Sequence, residues 1–316
     1  MTRTVGQPTT GPPDRLLRRL EWHVVRRLDG RLQGAYRTML RGAGIDFTGL
    51  REYTPEDDVR HIDWNVTARL DEPYVRQYTE DRELTAWLVL DQSASMRFGG
   101  TEHGFGAVGH GKEVGHGKES VLVELAICLG RLFTRAGNRV GAILYDNRLQ
   151  RVIPPRTGRT HLLRLTHELT RPAATAADGR TTDVAAMLHL AAATARRRGL
   201  VFVISDFICD VDWEPALTRL SQRHEVVTIR VVDPMELDLP DLGLVLVEDA
   251  ETGEQLLADT GDPLFRQRFQ AQAQARELAV ASSMRRAGVV PHRIGTDQDL
   301  VQAMVDMVLQ SKRRRA

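Results

Sequence analysis

The chain is predicted to fold as an α/β protein, in which a doubly wound, mostly parallel, Rossmann-like sheet is joined to a small irregular or β-rich module. From residue 84 onward, apolar runs of strand length alternate with longer segments of helical periodicity. This alternation favours a parallel sheet with helices on both faces. Residues 41–83 instead mix Gly, Pro, Asp, Tyr and Trp with short apolar pieces, which predicts turns and short strands.

The N-terminal part divides into three segments. Residues 1–13 are polar and rich in Pro and Gly, without the apolar stretch of a signal peptide, so we expect a flexible lead. Residues 14–40 place Leu and Val at helical spacing, which predicts a helix. Together with the irregular stretch that follows, this helix makes residues 14–83 the predicted N-terminal module.

Residues 84–310 form the predicted α/β domain. Its strands are expected at 84–90, 139–145, 200–205, 225–232 and 289–294. Its helices are expected at 119–136, 159–170, 183–198, 212–223, 263–287 and 297–310. Residues 311–316, with one Lys and three Arg, are expected to be a basic tail.

Two stretches interrupt the alternation of strands and helices. Residues 97–118 are rich in Gly and His and contain a tandem repeat, GHGKEV followed by GHGKES, so we expect a low-complexity insertion in a loop. Residues 243–260 are predicted to form a hairpin that turns around Glu251-Thr-Gly253. We expect this hairpin either to extend the sheet or to join the small module.

Charge and cysteine content exclude several classes of function. With 43 Lys and Arg against 42 Asp and Glu, the formal net charge is +1, which removes a whole-protein argument for binding nucleic acid or an anionic membrane. No apolar run approaches the ~18 residues that span a bilayer, so no integral membrane segment is expected. The two cysteines, Cys128 and Cys209, are expected to be reduced thiols of a cytoplasmic protein.

The most informative motif is Asp91-Gln-Ser93-Ala-Ser95, which directly follows the apolar run 84–90. Three oxygen-bearing side chains at alternate positions, displayed where a strand ends, can converge on one hard cation. Mg²⁺ is held in proteins by few carboxylates, by neutral oxygens and by waters, and Mn²⁺ or Ca²⁺ accept the same kinds of ligand. The motif therefore predicts a metal-assisted binding site rather than bond chemistry.

Asp206 is expected to lie beside Asp91 at one edge of the sheet. It follows the apolar run 200–205, just as Asp91 follows its own strand. The carboxyl ends of parallel strands share one edge, and ligands bind there at the switch in strand order. The two carboxylates are therefore predicted to face the same ion.

A threonine is expected to supply the last ligand. The segment GRTTD, residues 179–183, opens a helix, so the hydroxyl of Thr182 can point to the same edge of the sheet. Thr181 is its rival for this role. The simpler alternative is that Thr182 and the two serines of the motif each do no more than cap a helix.

This constellation resembles the metal-ion-dependent adhesion site (MIDAS) of von Willebrand factor A (vWA) domains. Residues 49–64, with the sequence GLREYTPEDDVRHIDW, are similar to the signature of the DUF58 family, and the segments 67–69 and 75–77 agree with it. The resemblance covers roughly residues 35–310 and implies a vWA-like domain. It implies a metal site made by these positions: Asp91, Ser93, Ser95, Thr182 and Asp206.

The resemblance also bears on the threonine and on the partner. The family pattern places the ligand directly before an Asp, which favours Thr182 over Thr181. Members of the family are commonly linked with MoxR-type AAA+ ATPases, so a protein partner of that class is implied.

The resulting hypothesis is a divalent-metal-dependent protein-interaction module that binds a partner's carboxylate, with no enzymatic activity, as an adaptor for such an ATPase. The rival is a metal-dependent phosphoester hydrolase with Asp91 as nucleophile or metal ligand. Against the rival, Ser93 stands where haloacid-dehalogenase-like hydrolases need a second Asp.

Other patterns support weaker hypotheses. The glycines of residues 104–112 fit GxGxxG and GxxxxGK, but neither a strand before them nor a helix directly after them is predicted, as a phosphate cradle requires. The three histidines of the same loop lack the carboxylate or Cys that would complete a set of transition-metal ligands: His103, His110 and His116. His61 and Asp63 lack an accompanying nucleophile, so pairing of Arg with carboxylates is expected in the charged signature.

Overall fold

The computed structural model describes residues 46–54, 57, 59, 62–70, 72–79, 84–97, 117–171, 181–209 and 211–313. The elements in this part of the chain, in order, are β1 (Asp46–Glu52), α1 (Trp64–Leu70), β2 (Tyr74–Thr79), β3 (Thr85–Asp91), α2 (Lys118–Arg135), β4 (Arg139–Tyr145), β5 (Leu149–Arg156), α3 (Arg159–Leu169), α4 (Val184–Thr194), β6 (Leu200–Ser205), α5 (Glu214–Arg223), β7 (Glu225–Val232), β8 (Leu244–Glu248), β9 (Gln255–Asp259), α6 (Pro263–Arg286), β10 (Pro291–Gly295) and α7 (Leu300–Arg313).

A six-stranded sheet with the order β10-β7-β6-β3-β4-β5 forms the centre of the α/β domain. All neighbouring strands in it are parallel except β5, which pairs antiparallel with β4 at the edge. The chain moves from β3 outward to β4 and β5, and then returns to place β6 on the other side of β3. The direction of winding therefore reverses between β3 and β6, as in doubly wound folds. The predicted α/β class is confirmed.

Both faces of the sheet are covered by helices, which explains why its central strands are apolar throughout. Leu88 and Leu90 of β3 pack in one core with residues of α2, α3 and α7. Trp87 and Val89, which point the other way, pack in a second core with residues of α4, α5 and α6. Each large side chain buried in this way contributes about 1.5–3 kcal/mol through removal from water.

β5 was not predicted from the sequence, and its composition explains why. The strand, LQRVIPPR, contains charged residues and two consecutive prolines, and only Ile153 is fully buried. Proline is tolerated in a sheet mainly on edge strands because it cannot donate a ladder hydrogen bond. An edge strand of this kind lacks the apolar run by which the central strands were recognised.

The small module consists, in the described part, of the antiparallel pair β1 and β2 with the short helix α1. Arg51 forms a two-pronged ion pair with Asp57, in which its Nη1 lies 2.7 Å from Oδ2, as expected for the charged signature. This guanidinium lowers the pKa of Asp57. Asp63 accepts hydrogen bonds from the amides of Asn65 and Val66 at the start of α1, so it has a capping role.

The predicted hairpin is present as β8 and β9, which pair antiparallel with each other in a separate two-stranded sheet. Within the described residues these strands pair neither with the central sheet nor with β1 and β2. No helix in the described part of the chain is long and apolar enough to cross a membrane.

Several predictions fall on other parts of the chain. The flexible lead, the helix 14–40, the glycine patterns, His61 and the three histidines of the loop lie outside the described residues. Lys118, the last residue of the predicted insertion, is the first residue of α2. Likewise α7 continues to Arg313, three residues into the predicted basic tail.

Candidate functional site

Asp91 and Asp206 lie at the point where the winding of the sheet reverses. Asp91 is the last residue of β3, and Asp206 directly follows β6, the parallel neighbour of β3. Each aspartate is 1 % exposed. In doubly wound sheets the crevice at this position is where ligands bind.

The carboxylate of Asp91 is held by neutral donors. Its Oδ1 accepts the amide of Ser93 at 2.9 Å, and its Oδ2 accepts the hydroxyl of Ser205 at 2.5 Å. Burial raises the pKa of Asp91 to about 7, and the negative charge of Asp206 adds to this rise, while the two hydrogen bonds oppose it. The site therefore contains a buried acid whose ionised form is poorly stabilised.

The two serines of the motif contact each other. The Oγ atoms of Ser93 and Ser95 lie 3.0 Å apart, with Ser93 fully buried. Each hydroxyl has one proton and two lone pairs, so both oxygens keep the capacity to coordinate a cation. Hard oxygen atoms of this kind, beside a carboxylate, suit Mg²⁺, Mn²⁺ or Ca²⁺.

The turn after β6 is under backbone strain. Phe207 has a φ of 56°, a left-handed conformation that is an outlier for a bulky residue. The conformation is supported by local hydrogen bonds: the amide of Phe207 donates to Ser205 Oγ at 2.9 Å, and the amide of Ile208 donates to Asp206 Oδ1 at 3.0 Å. Strain of this kind concentrates at functional sites, where it fixes side chains that the fold would otherwise not display.

Lys118 compensates the charge of Asp206, and sequence reasoning missed it. Its Nζ lies 2.8 Å from Asp206 Oδ2 and also pairs with Glu236, although the lysine is 0 % exposed. Burial alone would lower the pKa of Lys118, but the two carboxylates outweigh it and raise that pKa above its ordinary value. The only signal in the sequence is that Lys118 is the last Lys of the tandem repeat, within the predicted insertion.

Burial and contacts favour Thr182 over Thr181 as the candidate ligand. Thr182 is 3 % exposed, whereas Thr181 is at the surface. The carboxylate of Glu251 accepts the hydroxyl of Thr182 at 2.7 Å and its amide at 2.9 Å. The cap of α4 is Asp183, which accepts the amide of Ala186 at 2.8 Å. Thr182 is therefore not a capping residue.

The segment that contains Thr182 lies at the same edge of the sheet as the aspartates. The hydroxyl of Tyr145, the last residue of β4, is close enough to both Asp183 and Asp91 to interact with their charges. Burial, together with these charges, raises the pKa of Tyr145 to about 12. Asp91 thus contacts Ser93 directly and Ser95 through Ser93. In the described part of the chain, Thr182 contacts Glu251 and is linked to Asp91 only indirectly, through the interactions of Tyr145 with Asp91 and Asp183.

The set of candidate ligands is dominated by hydroxyls. No group of three or more His, Cys, Asp or Glu side chains that could hold a metal ion occurs in the part of the chain that the structure describes. The candidate ligands, two carboxylates and three hydroxyls, are of other types than the His and Cys ligands of transition-metal sites.

Comparisons with known proteins agree with the signature in residues 49–64. The family described as "Protein of unknown function DUF58" matches residues 49–279. Uncharacterized proteins of Mycobacterium bovis and of Mycobacterium tuberculosis strain H37Rv are each 36 % identical over 300 residues, which cover 94 % of this chain and 89 % of theirs.

Two crystal structures are also similar, at lower levels. A conserved hypothetical protein, BatB, from Bacteroides thetaiotaomicron matches with 14 % identity and a TM-score of 0.41, over 73 % of this chain and 99 % of that one. An aerotolerance-related membrane protein from Bacteroides fragilis matches with 13 % identity and a TM-score of 0.44, over the same shares. At these scores neither likeness adds to what the sheet topology shows. The match over 49–279 and the mycobacterial relatives establish that this chain belongs to the DUF58 family.

Proposed function

We propose that this chain is a divalent-metal-dependent protein-interaction module with a vWA-like domain and a MIDAS-type site. The metal-site residues are those of the motif and its two partners: Asp91, Ser93, Ser95, Thr182 and Asp206. The observation that carries the proposal is the state of Asp91. This carboxylate is 1 % exposed at the switch point, and it has no Lys, Arg or His ion-pair partner among the described residues.

The chemistry of these residues fits a divalent cation. A cation beside Asp91 would stabilise its ionised form and offset the repulsion from Asp206, the two effects that now raise its pKa. Ser93 and Ser95 add neutral oxygens within 3.0 Å of each other. A low count of carboxylates with several hydroxyls is compatible with Mg²⁺, which keeps part of its water shell in proteins.

The ligands are not equally available. Asp206 is already ion-paired with the ammonium of Lys118, whereas Asp91 accepts hydrogen bonds from neutral donors, the amide of Ser93 and the hydroxyl of Ser205. We therefore propose that Asp206 acts through water and through its charge, while Asp91 and the two serines bind directly. Mg²⁺ bound here would supply one electrophilic position for a carboxylate from a partner protein.

A protein is the class of partner that the surface supports. On the β8–β9 hairpin, Leu246 lies opposite Leu257, and Leu244 is on the same face; all three are 60 % or more exposed. Exposed apolar patches on a soluble domain mark sites of protein contact. Glu251 in the turn of this hairpin binds Thr182, which connects the hairpin to one of the proposed metal ligands.

We propose that the partner is a MoxR-type AAA+ ATPase and that the chain acts as its adaptor in the cytoplasm. The support is the resemblance of the DUF58 signature, whose relatives are commonly linked with such ATPases. No contact in the described part of the chain favours the rival function, which is phosphoester hydrolysis by Asp91. Ser93 stands where haloacid-dehalogenase-like hydrolases need a second Asp.

The proposal is tested by calorimetric titration of Mg²⁺ into the full chain, followed by capture of a purified MoxR-type ATPase with Mg²⁺ or EDTA present. Asp91→Asn should weaken Mg²⁺ binding at least about tenfold and abolish Mg²⁺-dependent capture. Asp238→Asn, which removes an exposed carboxylate, is the matched control and should leave both unchanged. Capture that is equal in Mg²⁺ and EDTA would refute the metal bridge. Turnover of a generic phosphoester that disappears in Asp91→Asn would favour the hydrolase.

A further inference from the structure

We propose that Glu251 is a positioning residue that holds the hydroxyl of Thr182 in the orientation needed for metal coordination. The inference rests on the proposed function and adds to it a residue from outside the motif. It gives the β8–β9 hairpin a defined role, which is to complete the metal site from a segment 69 residues away in sequence.

The hydroxyl of Thr182 needs a hydrogen-bond acceptor for its proton if its oxygen is to bind a cation. A threonine hydroxyl has one proton and two lone pairs, and it binds a cation through a lone pair. Its proton must therefore go to another acceptor. In this structure the acceptor is Glu251 Oε1, at 2.7 Å from Thr182 Oγ1. The oxygen of Thr182 keeps its lone pairs free for an ion, whereas a hydroxyl without this acceptor could turn its proton toward the ion.

The second contact fixes the geometry of the first. Glu251 Oε2 accepts the backbone amide of Thr182 at 2.9 Å, so both oxygens of one carboxylate are bound to one residue. This two-point contact restricts rotation of the carboxylate. Thr182 is 3 % exposed, so water competes little for either hydrogen bond.

Hydrogen bonds within the turn of the hairpin fix the position of Glu251. Asp249 Oδ1 accepts the amides of Glu251 and Thr252 at 2.9 and 2.8 Å. Gly253 has a φ of 73°, which a residue with a side chain rarely adopts, and its amide donates to the carbonyl of Asp249 at 2.8 Å. A turn that is closed by three hydrogen bonds holds Glu251 in place before any ion binds.

A different role for Glu251 predicts the opposite change in metal affinity when its charge is removed. If its carboxylate competed with the partner's carboxylate for the ion, or screened the site, removal of its charge would strengthen metal or partner binding. If it positions Thr182, removal weakens metal binding. Loss of an outer-shell partner of a metal ligand typically reduces metal affinity by about 10–100-fold.

The experiment is a calorimetric titration of Mn²⁺ and Mg²⁺ into the full chain. Glu251→Gln keeps the length of the side chain, but its NH₂ group cannot accept the amide or hydroxyl of Thr182. We expect it to bind either ion about 10–100-fold more weakly than the wild type. Glu254→Gln, which removes the same charge from an exposed residue of the same hairpin, should bind as the wild type does.

A double-mutant cycle separates positioning from general stabilisation of the hairpin. Thr182→Val removes the hydroxyl and keeps the shape, so Glu251→Gln should cause no further loss of metal affinity in that background. Thr182→Ser restores a hydroxyl and should restore the sensitivity to Glu251→Gln. A purely structural role of Glu251 would give the same loss in all three backgrounds. Circular dichroism and urea midpoints confirm that each variant is folded.

The outcomes distinguish this inference from the proposed function. A wild-type chain that binds neither ion would overturn the proposed function and the inference together. A wild-type chain that binds, with Glu251→Gln and Glu254→Gln equal to it, would overturn the inference alone. Tighter binding by Glu251→Gln, or losses that simply add in the cycle, would also overturn it.

Discussion

Asp91 and Asp206 occupy matching positions at the ends of neighbouring strands, and each is 1 % exposed, yet their charges are compensated differently. Asp206 has an internal cation, because the ammonium of Lys118 lies 2.8 Å from its Oδ2. Asp91 has only a hydroxyl and an amide. One carboxylate is therefore satisfied within the fold, while the other is left with a charge that the described part of the chain does not neutralise.

The difference supports a structural role for Asp206 and leaves Asp91 as the candidate for the proposed binding role. Removing a charge from water costs several kcal/mol, which is recovered only by a close partner of opposite sign. Lys118 supplies that partner for Asp206 and Glu236 and ties α2 to the end of β6. Asp91 would regain its stability from a cation that comes from solution. The predictions below test this contrast, beginning with the largest expected effect.

Lys118→Met should cause the largest loss of stability. The variant leaves Asp206 and Glu236 without their shared cation in an interior where Lys118 itself is 0 % exposed. Breaking a buried ion pair by removal of one partner costs about 3–5 kcal/mol, which urea unfolding would measure as a lower midpoint. The triple variant Lys118→Met, Asp206→Asn, Glu236→Gln should recover most of the loss, because no unpaired charge remains. A single variant within about 1 kcal/mol of the wild type would contradict a structural role for this cluster.

The two aspartates should respond oppositely to neutralisation when EDTA is present. Asp206→Asn takes from Lys118 one of its two partners and should cost about 1–3 kcal/mol. Asp91→Asn removes a charge that burial and Asp206 disfavour, so at pH 7 it should raise the free energy of unfolding rather than lower it.

Mg²⁺ should stabilise the wild type more than it stabilises Asp91→Asn. At 100 times its dissociation constant, an ion that binds only the folded chain adds about 2.7 kcal/mol to the free energy of unfolding of the wild type, and Asp91→Asn should lose about half of this gain or more. Equal destabilisation by the two variants in EDTA would show that the two carboxylates are equivalent.

The stability of the metal-free protein should also depend on pH through Asp91. The pKa of Asp91 is about 7 in the folded state, against about 3.9 in an unfolded chain. Between these values the folded state binds more protons than the unfolded state, so the free energy of unfolding falls as pH rises through this window and is constant above it. From pH 4 to pH 7, the free energy of unfolding of the wild type should therefore fall relative to that of Asp91→Asn, as measured by urea unfolding in EDTA. Asp238→Asn should run parallel to the wild type, and so would Asp91→Asn if the pKa of Asp91 were ordinary.

The parts of the fold that were predictable from sequence are those buried on both faces. β4, β6 and β7 were expected at 139–145, 200–205 and 225–232, and the structure has these bounds. A central parallel strand is covered by helices on each side and therefore shows a continuous apolar run. β5 has one exposed edge and two prolines, so it carried no such pattern.

The candidate site divides in a similar way. Asp91, Ser93 and Ser95 form a local motif, and Asp206 follows from the rule that strand ends share an edge. Lys118 and Glu251 could not be predicted, because their partners lie 88 and 69 residues away and are brought close only by the fold. Both are charged residues in stretches that looked like a loop and a turn. Their roles depend on burial and distance, which the spacing of residues does not encode.

The smallest effect on stability is expected from an exposed ion pair. This pair serves as the reference with which the buried pair of Lys118 and Asp206 is compared. Arg286 and Glu214 meet with Nη2 2.6 Å from Oε2, and their side chains are 61 % and 26 % exposed. Water already solvates both charges, so a double-mutant cycle with Arg286→Gln and Glu214→Gln should give a coupling far below that of Lys118 and Asp206. Raising NaCl from 0.1 to 1 M shortens the Debye length from about 10 to 3 Å and should remove the surface coupling, while the coupling of the buried pair persists. If both couplings faded equally with salt, burial would not be what distinguishes the compensated aspartate, and the reason for assigning Asp91 an external cation would be lost.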